Sequence, residues 1–136
     1  MNRHFVFVYG SLLKGEPNHR QLAASTFVRR ARTSPAFILL DLGAFPALVS
    51  GGTTSVSGEV YDVDDITLAG LDRLEGHPRF YRRSEISLTD GTRLLAYLLA
   101  EHRFRQPVIV GGDWRVHLAK EQVMRGTSAR GCSSSK

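Results

Sequence analysis

Short β-rich runs, cut off by glycine, proline or an Asp-Gly pair, fill most of this chain and leave it few folds to choose from. His4–Tyr9 has the β-branched and aromatic density of a buried strand, and Gly10-Ser11 ends it. Phe27–Thr33, Ala36–Leu40, Ala47–Ser50, Ser55–Val63, Phe80–Leu88, Thr92–Leu99 and Val108–Val110 read as further strands. Asp90-Gly91 between two of them signals a hairpin. In Ser55–Val63, Val56 and Val60 fall on one face, Tyr61 and Val63 on the other. Helical signals are fewer. Asn18 is placed to cap a short helix through Ala24. Asp64 or Asp65 opens a helix to about Leu74, striped by Leu68, Leu71 and Leu74 and stopped by Gly76. Asp113 opens a last helix through about Met124. The alternation of strand and helix that builds a doubly wound sheet is missing. The pattern predicts an α+β domain around a twisted or barrel-like sheet.

At 136 residues one domain is expected, folded over residues 1–125, with 126–136 a disordered polar tail. No run of 18 apolar residues argues for a membrane span, and the five-residue apolar start is too short for a signal-peptide core. The lone Cys132 rules out an internal disulfide, and a cytoplasmic protein is the simplest reading. Charge is uneven. Residues 1–33 carry six Lys/Arg against one Glu, residues 34–75 one Arg against seven Asp/Glu, and residues 76–136 eleven Lys/Arg against five Asp/Glu. A nucleic-acid binder more often shows a basic stripe with interleaved aromatics. Here the arginines scatter, so a solvated basic surface is the default and a nucleic-acid-binding barrel the minor alternative.

Two segments could carry chemistry. Gly10 can turn the strand end and admit close backbone approach, so the N–H groups of Gly10, Ser11 and Leu12 could converge on an anion or oxyanion. An ordinary loop is the plainer alternative. Glu75 sits in the last turn of a predicted helix, where the helix dipole and partial burial would both raise its pKa toward that of a general base. Its plainer alternative is a surface carboxylate paired with Arg79 or Arg82. Glu59 is the rival acid, expected to share a strand face with Tyr61 and explicable as a cross-strand ion pair. Tyr81 and Arg83 begin a strand after the helix and could line a pocket. The histidines at 4, 19, 77, 102 and 117 show no metal-ligand spacing, and Ser11 has no recognisable His/Asp partners. Donors plus one base suffice for acyl transfer without metal or cofactor.

Taken together, the segments resemble a known family. Val8-Tyr9-Gly10-Ser11-Leu12 followed by Gly15–His19 is similar to the opening of the γ-glutamylcyclotransferase-like family, the latter stretch especially to its γ-glutamylamine cyclotransferase branch. Phe45–Val49, Gly58–Tyr61, and Leu71-Asp72 through Glu75-Gly76 to Tyr81 and Arg83 resemble later segments in the same order. Gly112-Asp113-Trp114 resembles an element of small bacterial members. The resemblance implies a small mixed β-barrel with flanking short helices. It implies cyclisation of a small-molecule γ-glutamyl substrate to 5-oxoproline with release of an amine. Glu75 would be the acid/base; Tyr9, Gly10, Ser11 and Leu12 would hold the γ-glutamyl moiety, and Tyr81 would orient it. A non-catalytic small-molecule-binding module of the same fold is the alternative. The acidic middle segment could line a cleft favouring cationic amines.

Overall fold

The structure, a computed structural model, describes residues 2–100 and 106–129, with side chains through Val123. Its strands are β1 (Arg3–Val8), β2 (Thr26–Arg32), β3 (Phe37–Asp41), β4 (Pro46–Ser50), β5 (Ser57–Asp64), β6 (Tyr81–Ser87) and β7 (Arg93–Leu99). The helices are α1 (Asp65–Glu75) and α2 (Trp114–Ala129), with a single 3-10 turn at His19–Leu22. One mixed sheet runs β2-β5-β1-β7-β4-β3, and β6 pairs with β7. The fold is α+β, as the strand pattern implies. The named strands do not close into a full ring, β2, β3 and β6 each ending a branch, and one bridge between Thr33 and Leu88 joins the ends of β2 and β6, so barrel is a loose description of the sheet.

A strand has two edges, and β6 takes one edge of β7 along its whole length, from Tyr81 opposite Leu99 to Ser87 opposite Arg93. β1 and β4 must therefore share the other edge. Both are parallel to β7, β1 meeting it at Leu95 and β4 at Leu98. The sheet forks there. The Tyr9 hydroxyl bridges the fork, donating to the Tyr97 carbonyl at 2.6 Å and accepting from the Leu48 N–H at 3.2 Å. A buried side chain thus satisfies backbone groups that strand pairing leaves over.

Both sheet faces are covered. Val6, Val8, Tyr61 and Val63 join Leu68 and Leu71 of α1 in one apolar cluster. Phe7, Val56, Val60 and Trp114 of α2 belong to the other. The two-faced reading of β5 therefore holds, since it is buried on both sides. Asp64 caps α1, its Oδ1 accepting from the Thr67 N–H at 2.7 Å, and Asp113 Oδ1 accepts from the Val116 N–H at 3.0 Å at the start of α2.

Three expectations need correction. Asn18 does not cap a helix: its side chain donates to Ser11 Oγ at 3.0 Å, and only a 3-10 turn follows. Val108–Val110 shrinks to one bridge between Val108 and Leu40. α2 runs past Met124 to Ala129, and the rest of the expected tail, 130–136, lies outside the described residues.

Candidate active site

The fork in the sheet opens into a cavity of about 240 Å³, bounded by the chain after β1, the start of β4, the end of α1 and Phe80-Tyr81. Tyr9, Gly10, Ser11, Leu12, Glu75 and Tyr81 all line it. The structure therefore brings these six together, whereas Arg83 and Glu59, also singled out in the sequence, lie outside the cavity.

Local chemistry explains how each arrives there. α1 stops at Glu75 because Gly76 is left-handed, with φ 67°. The His77 N–H reaches back to the Asp72 carbonyl at 2.9 Å and the Gly76 N–H to Arg73 at 3.3 Å, the paired bonds of a Schellman stop. A residue other than glycine resists this conformation, and a Cβ at 76 would also lie 3.2 Å from the Phe80 Cβ. Gly10 is required for a different reason than a positive φ. A Cβ there would lie 2.5 Å from Cγ and 2.6 Å from Cδ of Pro46, so glycine lets β4 approach the end of β1.

The carbonyls of the Gly10–Leu12 loop are all engaged. Gly10 O accepts from the Leu13 N–H, Ser11 O from the Asn18 N–H, and Leu12 O from His19 Nδ1. The amides of Gly10, Ser11 and Leu12 donate to no acceptor among the described residues. The loop's far end is clamped by Glu59, whose Oε1 accepts from the Lys14 N–H at 3.0 Å. Arg115 of α2 adds a second clamp, donating to the Lys14 carbonyl at 2.6 Å and to Glu59 Oε2 at 3.0 Å. The ion pair expected for Glu59 exists, but with a helix residue rather than across strands.

The acids of residues 34–75 sort cleanly. Asp41 meets His117, Asp62 meets Arg3, Asp64 caps α1 and Asp65 meets His4. Asp72 accepts from Arg83 and from the Tyr97 hydroxyl, which ties α1 to the β6–β7 hairpin one turn before Glu75. Glu59 is buried with three donors. Burial alone would raise its pKa, but the Lys14 N–H, Arg115 and the Tyr61 hydroxyl together hold it below the ordinary glutamate value. Glu75 alone has no hydrogen-bond or ion-pair partner among the described residues, and burial pushes its pKa up to about 7. It pairs with neither Arg79 nor Arg82. Among the described residues Glu75 is the one carboxylate lining the cavity, so they form no acidic cleft there.

The tyrosines are walls more than donors. Tyr81 donates its hydroxyl to the Pro46 carbonyl at 2.7 Å, and Tyr97 donates to Asp72 Oδ1 at 2.6 Å. Burial, then Tyr81 and Glu75 nearby, push the Tyr9 phenol well above its ordinary pKa, so it stays neutral. Arg83 does not line the cavity; it holds Asp72. Sequence reasoning missed Asn18, Phe45, Pro46 and Phe80 as cavity residues. The resemblance around Phe45–Val49 was the available signal for two of them.

Elsewhere, Asp41, His117 and Glu121 bring potential metal-ligand atoms within 4.8 Å of one another. His117 and Glu121 stand one helical turn apart, while Asp41 comes from 76 positions away, so residue spacing could not reveal the group. Ion pairing accounts for it, His117 Nε2 lying 2.8 Å from Asp41 Oδ2 and 3.7 Å from Glu121.

Comparison with known proteins bears on the family. Residues 6–116 match the family model described as gamma-glutamyl cyclotransferase, AIG2-like. A Vibrio cholerae protein provisionally named a gamma-glutamylcyclotransferase is 46% identical over 112 residues, covering 82% of this chain and 96% of that one. The Danio rerio gamma-glutamylaminecyclotransferase C is 40% identical over 97 residues, 65% of this chain and 64% of its own length. A crystal structure of an AIG2-like protein from Mus musculus superposes with a TM-score of 0.72 at 27% identity, over 79% of this chain and 86% of that one. Among the described residues no helix is long and apolar enough to cross a membrane.

Proposed function

Because the chain belongs to the gamma-glutamyl cyclotransferase, AIG2-like family, we propose that it closes γ-glutamyl amines to 5-oxoproline and releases the free amine, with Glu75 as the proton carrier. The observation that carries the reading is the isolation of Glu75. Six of the seven carboxylates in residues 34–75 are committed to partners, and the seventh has none among the described residues and lies in a cavity beside three backbone amides that likewise have no acceptor there.

The chemistry then follows from the substrate. Its α-amino group, with a pKa of roughly 7.7–8.0 in peptides, is partly neutral near pH 7 and can attack its own γ-carbonyl. Favourable orientation of an intramolecular attack can supply about 7–11 kcal/mol. The enzyme's share is to fold the chain back, stabilise negative oxygen and move one proton. The new bond joins the α-nitrogen to the γ-carbon, and the γ-carbon bond to the leaving nitrogen breaks. Glu75 takes a proton from the attacking nitrogen and returns it to the leaving one, and no water is consumed. A pKa of about 7 suits both halves of that task. The amides of Gly10, Ser11 and Leu12 receive the α-carboxylate or the developing oxyanion. Tyr9 and Tyr81 form the walls.

Incubation with a panel of γ-glutamyl amines, quantifying 5-oxoproline and free amine by mass spectrometry, tests the reading. The two products are expected in equal amounts. Release of glutamate in place of 5-oxoproline would mean hydrolysis and contradict it.

A further inference from the structure

A second cleft, about 490 Å³ in volume, lies between β2, β5, the loop after Leu12 and the start of α2. We propose that it binds a phosphate monoester of a small organic molecule, held by Arg30, Arg32 and Arg115. Among the described residues it shares no lining residue with the cavity of Glu75, so this site stands apart from the cyclotransferase reading.

Strand period puts two of the arginines there. Arg30 and Arg32 share one face of β2, opposite Glu59 and Ser57 of β5, while Arg29 lies on the other face and meets Asp90. An arginine opposite a glutamate would ordinarily form a cross-strand ion pair. Here the Glu59 oxygens accept from the Lys14 N–H, the Tyr61 hydroxyl and Arg115, none of them from Arg30. Arg30 therefore faces the cleft with its cross-strand acid already taken.

The other two guanidinium groups are held in place. Arg32 donates to Ser57 Oγ at 2.7 Å and to the Ser55 carbonyl at 2.9 Å. Arg115, in the first turn of α2, makes its contacts with the Lys14 carbonyl and Glu59 through one nitrogen, Nη2. Its Nε and Nη1 face no acceptor among those contacts. Asp113, the second acid of the cleft, has Oδ1 on the Val116 N–H. Three guanidinium groups thus stand against two hydrogen-bonded carboxylates, which leaves the cleft a surplus of positive charge. Donors arriving from a strand and a helix suit the several oxygens of a tetrahedral phosphate; a planar carboxylate fills a single fork. Leu13 and Val116 add apolar wall, and the volume leaves room for an organic body beside the phosphate.

Trp114, the chain's one tryptophan, precedes Arg115, so its fluorescence can report the cleft. Titration with phenyl phosphate at constant ionic strength, repeated by calorimetry, should saturate. Inorganic phosphate should bind more weakly, and phenol should give no saturable signal. Arg30→Gln should weaken phenyl phosphate binding by at least about tenfold, the loss of one charge-assisted contact, and leave basal turnover unchanged. Arg30→Lys, which keeps the charge without the fork, should retain part of the affinity. No saturable binding, or equal affinity in wild type and Arg30→Gln, would overturn the inference. So would steeply salt-dependent binding of a mixed-sequence RNA that phenyl phosphate does not displace, which would assign these arginines to a nucleic-acid surface.

Discussion

Glu59 and Glu75 are the same side chain put to opposite uses. Glu59 has a donor for each oxygen and a depressed pKa, so it stays ionised and holds the Gly10–Lys14 loop to β5 and α2. Glu75 has no hydrogen-bond or ion-pair partner among the described residues and a raised pKa, as the proton carrier we propose requires. Such separation of paired acids by environment is how one fold assigns a structural and a chemical role. The raised pKa also has a cost in stability. Between the ordinary value of 4.5 and about 7 the folded protein binds more protons than the unfolded chain, so stability falls as pH rises through that window. Glu75→Gln, which cannot ionise, escapes the loss. Its melting temperature should exceed that of the wild type at pH 8, with the gap narrowing toward pH 5. Calorimetry at the two pH values checks this, and a Gln variant less stable at pH 8 would speak against a desolvated acid. Glu59→Ala acts in the other direction, leaving the Lys14 N–H and the Tyr61 hydroxyl without their acceptor and Arg115 with the Lys14 carbonyl alone. It should destabilise by about 2–4 kcal/mol in denaturant titration and depress turnover by loosening the loop.

At the level of elements, the site exists because two strands diverge from one. β1 and β4 leave the shared edge of β7 at different points, Tyr9 bridges the gap, and Pro46 comes close enough to Gly10 to exclude any side chain there. Gly10→Ala should therefore push β4 from β1, costing on the order of 1–3 kcal/mol and most of the activity. Urea titration beside a turnover assay checks it; full activity in a stably folded variant would contradict the account. The need for close approach at Gly10 was legible in the sequence, but the neighbour that approaches was not, since Pro46 lies 36 positions away. The helix stop was legible in full, because Asp64 and Gly76 act on neighbours in the chain. Asn18 was misread for a related reason. A cap residue beside a polar side chain seven positions earlier can satisfy that group instead, and it does.

Across the whole molecule, strand positions and both long helices could be read from local pattern, as could the two buried faces of β5. Pairing could not. The chain's own order says nothing of β7 lying between β1 and β4, so the fork in the sheet was not anticipated. The same limit applies to charge. The acidic middle segment suggested an acid-lined cleft, but folding pairs each of its carboxylates except one with Arg, His, Tyr or backbone donors. Among the described residues the cavity keeps a single charged group, Glu75, and the central claim is that this acid moves the proton. The direct measurement is the rate of 5-oxoproline release from a γ-glutamyl amine by wild type and by Glu75→Gln at pH 7.5, with folding of the variant checked by circular dichroism. The expected result is a folded variant that still binds substrate and is slower by about 10²–10⁴-fold, the span one general acid–base supplies. A folded Glu75→Gln protein that kept a tenth or more of the wild-type rate would contradict the account.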